Sequence, residues 1–286
     1  MRLLLVMGTL FLLSGCVFNR INRTNDITYQ PATATLAAQQ LDIYAPRNPA
    51  APQPVLVFIH GGNWNSGQKS TYKFLGKRFA KKGIVTVIID YPLSPAATYD
   101  EMARASTRSV DWVRQNINQY GGDTSRVFVS GHSAGGHLAA LIAVDPRYLR
   151  TPLGTQPLAG AVLIDAAGLD MYNYLREMKY PPTNTYIKTF TNDPATWKQA
   201  SPRYYLRADI PPMLIYRGGK TYPSIEKSTE AYITDLKGTV PNAHYKIQKG
   251  KKHIPMITQF FFPWNPLYHE IISFMESSGT TLPPNH

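Results

Sequence analysis

The chain has one cysteine in 286 residues, so no intramolecular disulfide can form and no thiolate metal cluster can be assembled within it. Acidic residues are also scarce. Eighteen Asp and Glu face 30 Lys and Arg, a net charge of +12, which draws the molecule toward anionic surfaces such as phospholipid head groups or lipopolysaccharide. That describes a neighbourhood rather than a reaction, and no nucleic-acid-binding motif accompanies the charge. The N-terminal apolar run, Leu3 to Leu13, has 11 residues where about 20 are needed to cross a bilayer. With 43% hydrophobic and 17% charged residues, disorder and collagen-like fibres are excluded and a buried core is expected.

Arg2 ahead of that run supplies the short positive start of a secretory signal. Leu13-Ser14-Gly15-Cys16 resembles the bacterial lipobox. The resemblance implies removal of residues 1–15 as a signal peptide, lipidation of Cys16, and a lipid-anchored protein of the bacterial cell envelope. Val17 rather than aspartate after the cysteine favours the outer membrane. Residues 16–38 are polar and poorly patterned and read as a tether, leaving 39–286 as one domain.

Within 39–286 the hydrophobic pattern alternates. Leu41–Tyr44, Val55–Ile59, Ile84–Ile89 and Val127–Val129 read as strands, the second as a continuous apolar run suited to a sheet covered on both faces and the third as another buried strand. Residues 72–82 and 101–118 carry helical spacing between them. Further strands are expected at Ala161–Ile164, Met213–Tyr216 and Tyr245–Gln248, with helices near 136–144, 224–236 and 268–275. Residues 169–208, rich in tyrosine, proline, asparagine and threonine, break the series and read as an insertion. The order predicts an α/β fold: a mostly parallel sheet with helices on both faces and ligands at the carboxyl ends of its strands.

Gly131-His132-Ser133-Ala134-Gly135 fits G-x-S-x-G, with an apolar strand before it and a small-residue helical segment after it, the context in which a serine is exposed at a sharp turn. His60-Gly61-Gly62-Asn63-Trp64 directly follows the strand Val55–Ile59. Main-chain N–H groups of Gly61 and Gly62, with that of Ala134 after the serine, are candidate donors to an oxyanion. Asp90-Tyr91-Pro92-Leu93-Ser94-Pro95 resembles a D-Y-R-L-A-P segment, and Tyr120-Gly121-Gly122-Asp123 precedes the third strand. On these motifs, residues 40–275 resemble the α/β-hydrolase superfamily, in the branch of carboxylesterases, hormone-sensitive-lipase-like and kynurenine-formamidase-like enzymes.

The resemblance implies a Ser-His-acid triad. His253, at the carboxyl end of the strand 245–248, matches the position of the catalytic histidine. His132 and His137 flank the serine at a spacing that favours packing roles, and His244 opens the strand. The acid departs from the family pattern. Where H-G-x-x-D is usual after the strand 213–216, this chain has Arg217-Gly218-Gly219-Lys220-Thr221-Tyr222, without a carboxylate. Asp165, closing the preceding strand, is favoured; Glu226 is the alternative, and Asp170 is weaker.

The expected function is hydrolysis of a small carboxylic ester through an acyl-enzyme on Ser133, needing no metal or cofactor and involving no nucleic acid. Amide hydrolysis by the same groups and a non-catalytic binding lipoprotein are the alternatives, the latter suggested by the vacant acid position. Trp64, Tyr91, Tyr172, Tyr174, Tyr180 and Tyr186 are candidates to wall a pocket. Lys69, Lys73, Lys77, Arg78, Lys81 and Lys82, on one predicted helix, form either a solvated face or a contact with anionic head groups.

Overall fold

The computed structural model describes residues 20–151, 154–155, 157–240 and 243–278. The predicted signal peptide, Cys16 and the first tether residues lie outside the described residues. Among the described residues ten strands and ten α-helices follow in order: β1 (Ile21–Gln30), β2 (Gln39–Pro46), β3 (Gln53–Ile59), α1 (Lys73–Ala80), β4 (Val85–Ile89), α2 (Tyr99–Asn116), β5 (Gly122–His132), α3 (Ala134–Val144), α4 (Pro146–Leu149), β6 (Arg150–Thr151), β7 (Gly154–Thr155) and β8 (Gly160–Ile164). The insertion then contributes α5 (Met171–Met178), α6 (Thr185–Phe190) and α7 (Pro194–Gln199), and the chain ends with β9 (Met213–Gly218), α8 (Pro223–Thr239), β10 (His244–Gln248), α9 (His253–Thr258) and α10 (Pro266–Ser278).

Eight strands form one sheet in the order β1-β2-β4-β3-β5-β8-β9-β10; β2 runs antiparallel to both its neighbours, β1 and β4, and every other pairing is parallel. The apolar run of β3, and the nearly apolar β4 interrupted only by Thr86, follow from burial on both faces. Val55, Val57 and Ile59 join the core that includes α2, α3 and α8, whereas Leu56 and Phe58 join the opposite core with Leu75, Phe79, Tyr268 and Ile271. After β4 the chain crosses back to place β5 on the other side of β3, so the strand order reverses between β3 and β5. Ile59 and Gly131 are register partners there, which brings the turn after β3 beside the serine turn after β5. A reversal of this kind opens a crevice at the carboxyl ends of the strands.

Residues 21–30, read from sequence as part of a tether, are instead the edge strand β1, so the sheet includes residues ahead of 39. The strand is exposed along most of its length, and its pairing with β2 is irregular between Thr24 and Ile27 and again between Thr28 and Gln30. An exposed, bulged edge carries no sustained alternation, which is why it reads as unpatterned. Tyr29 ties it down: its ring is buried and its hydroxyl donates to the Asp90 carbonyl at 2.6 Å. Lys69 also departs from the expected basic face, since its ammonium is buried among Asp26, Asp42 and Asp90. Tyr29→Ala is expected to lower unfolding free energy by about 3 kcal/mol in denaturant titrations. A loss near zero would return residues 21–30 to the status of a tether.

Candidate active site

Ser133 lies between β5 and α3 with φ 57° and ψ −122°, a conformation that costs energy for any residue with a Cβ. The two motif glycines make the bend possible. A Cβ on Gly131 would lie 2.2 Å from the Gly135 carbonyl oxygen, and one on Gly135 would lie 2.0 Å from that of Ile59. The turn thus presses directly on the end of β3.

His253, the first residue of α9, places Nε2 2.9 Å from Ser133 Oγ and Nδ1 2.7 Å from Asp165 Oδ2. The carboxylate can only accept, so Nδ1 carries the proton and Nε2 is left to accept from the serine hydroxyl. Asp165 follows β8, is fully buried, and has φ 48°. Its Oδ1 accepts the Gly218 N–H at 2.7 Å, its Oδ2 also accepts from the Thr221 hydroxyl, and its own N–H donates to the Tyr216 carbonyl at 2.7 Å. Burial pushes the Asp165 pKa up, but the hydrogen bonds from His253, Thr221 and Gly218 outweigh it and hold the carboxyl below its ordinary value.

The vacant acid position after β9 is therefore in use: Gly218 and Thr221 clamp a carboxylate supplied by the neighbouring strand. Glu226 is elsewhere, half exposed and paired with Arg217, which also reaches Glu230. Asp170 caps α5 and pairs with Arg203.

The remaining sequence candidates divide. His132 stacks on His253 with centroids 4.6 Å apart, and its Nε2 bonds the His253 carbonyl at 3.1 Å. His137 accepts from Trp64 Nε1–H at 3.2 Å and donates to the Ala200 carbonyl at 2.7 Å. Burial lowers the pKa of His132 to about 3 and those of His60 and His137 to about 4, so all three are neutral near pH 7. His244 is exposed on the edge strand β10.

Gly61, expected as an oxyanion donor, is committed otherwise: its N–H donates to the Tyr72 hydroxyl at 3.1 Å. The N–H groups of Gly62 and Ala134 remain. Gly62 lies in the cleft wall at φ 138°, where a Cβ would strike the Ser66 carbonyl at 2.0 Å. Ala134 heads α3, where first-turn N–H groups have no acceptor within the helix. Sequence reading passed over Tyr72, eleven residues beyond the glycine whose N–H it accepts. The residue is buried, lines the cleft, and stacks near His60.

The cleft holds about 610 Å³ and contains Ser133, His253, Gly61, Gly62 and Tyr72. Of the aromatic candidates only Tyr186 lines it; Trp64 and Tyr174 lie behind in a small recess, and Tyr91 is buried against His60. The apolar wall comes instead from Phe74, Tyr222, Ile254, Ile257 and Phe261. A second depression of 700 Å³ between α5 and α8 is lined by Asp170, Arg176, Glu177, Arg203 and Lys227 and holds none of these reactive groups. Among the described residues no cluster of His, Cys, Asp and Glu suited to a metal ion is found.

Sheet, serine bend and Ser-His-Asp constellation together define an α/β hydrolase. More narrowly, a family model matches residues 41–230, and the chain belongs to the BD-FAE family. It is 28% identical over 242 residues to Esterase LipQ of Mycobacterium tuberculosis, covering 78% of this chain and 57% of the relative. It is 25% identical over 236 residues to the probable isoprenylcysteine alpha-carbonyl methylesterase ICMEL1 of Arabidopsis thaliana, covering 77% and 49%. The chain thus spans about half the length of these curated relatives. In fold it resembles the thermophilic esterase Est2 of Thermogutta terrifontis, with TM-score 0.73 and 21% identity over 94% of this chain and 96% of that one. Esterase B of Lactobacillus rhamnosis gives TM-score 0.73 at 18% identity over 92% and 87%.

Removing the Tyr72 hydroxyl leaves a buried N–H unpaired in the turn that carries Gly62, a cost of about 1–3 kcal/mol that loosens the donor. Tyr72→Phe is expected to lower kcat about tenfold with KM changed less than about twofold. Unchanged kcat would show that the hydroxyl does not hold this turn.

Proposed function

We propose that the chain is a serine hydrolase of carboxylic esters. The observation that carries this reading is the unbroken line from Ser133 Oγ through His253 to Asp165, buried at its inner end and opening on a cleft at its outer end. Ser133 Oγ attacks the ester carbonyl as His253 Nε2 takes its proton. Negative charge develops on the carbonyl oxygen, and the Gly62 and Ala134 N–H groups, already oriented, stabilise it. The imidazolium returns its proton to the leaving alkoxide. Water then repeats the sequence on the acyl-enzyme and releases the acid. Asp165 holds the imidazole in the required tautomer and stabilises it when charged.

The esterases among the relatives support this reading, and Thermogutta terrifontis esterase 2 has been obtained phosphoramylated by tabun. The suggestion of a non-catalytic binding protein rested on the missing acid, and Asp165 removes that motive. Ser133→Ala is expected to abolish turnover of a short p-nitrophenyl ester and labelling by a fluorophosphonate probe. Asp165→Asn should lower kcat by about 10³–10⁴-fold, and Glu226→Gln should change it less than about threefold. Wild-type protein that neither turns over the ester nor reacts with the probe would overturn the proposal.

We further propose that the mature chain starts at an acylated Cys16 in the bacterial envelope, on the outer membrane. The support is the Leu13–Cys16 motif behind an apolar run. Because β1 starts at Ile21, the acylated residue would lie only five positions from the edge strand. Mass spectrometry of the N-terminal peptide should show acyl chains on Cys16 that disappear in Cys16→Ser; an unmodified cysteine would refute the anchor.

A further inference from the structure

Of the eight large apolar side chains exposed among the described residues, five gather in one place, while Met178, Tyr204 and Ile247 lie outside it. Tyr222, Ile254, Phe261, Phe262 and Trp264 are all around half exposed or more, Trp264 reaching 77%. Tyr222, Ile254 and Phe261 line the mouth of the catalytic cleft, and Phe262 and Trp264 line the depression next to it, which shares Thr258 with the cleft. A contiguous apolar patch of this kind on a folded chain marks a surface that meets something other than water.

Along the segment that carries four of these five side chains the charge is of one sign. Residues 249–265 contain Lys249, Lys251 and Lys252 and no Asp or Glu. Lys251 lines the depression beside Trp264, and Lys252 immediately precedes the catalytic-site histidine. On the far side of the mouth, the Phe74 ring meets Phe261 with centroids 4.1 Å apart, which brings the start of α1 to the same rim. That helix carries exposed Lys73 and Lys77 and no acidic residue. None of these five lysines takes part in a described ion pair, in contrast to Lys69, Lys227 and Lys246.

Exposed Trp and Phe surrounded by lysines match a lipid–water interface: the rings enter the head-group zone and the ammonium groups stay with anionic phosphates. We infer that the rim formed by Phe261, Phe262, Trp264 and these lysines is a membrane-contacting face that seats the cleft mouth on an anionic bilayer. Seating needs no lipid anchor at Cys16. Its consequence for substrate, that the ester enters from the bilayer surface, rests on the hydrolytic reading; the seating itself does not.

Trp264 reports its own environment, because Trp64 and Trp197 are buried and Trp112 is half-buried. The full chain is mixed with vesicles of phosphatidylglycerol and phosphatidylcholine, with and without brominated acyl chains, alongside Trp264→Phe. Seating predicts a blue shift and bromine quenching that Trp264→Phe abolishes, even where the N-terminus tethers the chain. Lys249→Glu with Lys251→Glu should weaken this response about tenfold or more. Phe262→Ser should also weaken it, with hydrolysis of a soluble p-nitrophenyl acetate kept within about twofold, since Phe262 lies outside the cleft. Trp264 that stays water-exposed on vesicle-bound protein would overturn the inference. So would a blue shift that follows protein concentration without lipid and accompanies dimers in sedimentation, which would make the rim a contact between copies. Loss of ester turnover with Trp264 still quenched would leave seating intact and count against the hydrolytic reading alone.

Discussion

The hydrogen bond between Asp165 and His253 is the constraint on which the site depends. It joins the end of β8 to the start of α9, 88 residues apart, and it fixes which imidazole nitrogen faces the serine. Burying a carboxylate is costly unless its lone pairs are occupied. Here His253, Thr221 and the Gly218 N–H occupy them, so the end of β9 and the turn after it serve the acid without supplying it. The geometry follows from strand order. β8 lies directly beside β5, whereas β9 is one position further out, so an acid on β8 starts closer to the serine turn.

The other half of the site comes from the reversal between β3 and β5. Ile59 and Gly131 are level across that pair, and Gly135 sits so close to the end of β3 that no side chain fits between. The Ser133 bend and the Gly61-Gly62 turn are therefore set by backbone contact rather than by flexible side chains, the kind of preorganisation that the proposed stabilisation of a transition state requires. Tyr72 and His132 extend the same logic outward, one holding the glycine turn and the other backing the His253 ring.

Much of this was legible from residues whose signal is local. The serine turn announces itself because strand, glycine pair and small-residue helix are consecutive, and the buried strand Val55–Ile59 shows as an unbroken apolar run. Asp165 could be favoured from its place at a strand end, but what secures it, the Gly218 and Thr221 donors, lies more than fifty residues away. Gly61 was misjudged for a related reason: a glycine N–H beside a nucleophile suits an oxyanion, and only folding shows that Tyr72 has taken it. β1 escaped notice because an exposed edge with irregular register needs no hydrophobic alternation. The six residues of α9 begin with the histidine itself and contain Pro255, too short a stretch for periodicity to speak. The apolar rim was invisible in principle, since aromatic residues at 260–264 look like core until their exposure is known.

The central claim is that Asp165, and no other carboxylate, holds His253. Proton NMR of the imidazole N–H groups tests it most directly. The account predicts a strongly downfield Nδ1–H resonance in wild type that persists in Glu226→Gln and vanishes in Asp165→Asn of equal foldedness. A resonance that survives the loss of Asp165, or one that disappears with Glu226, would contradict it.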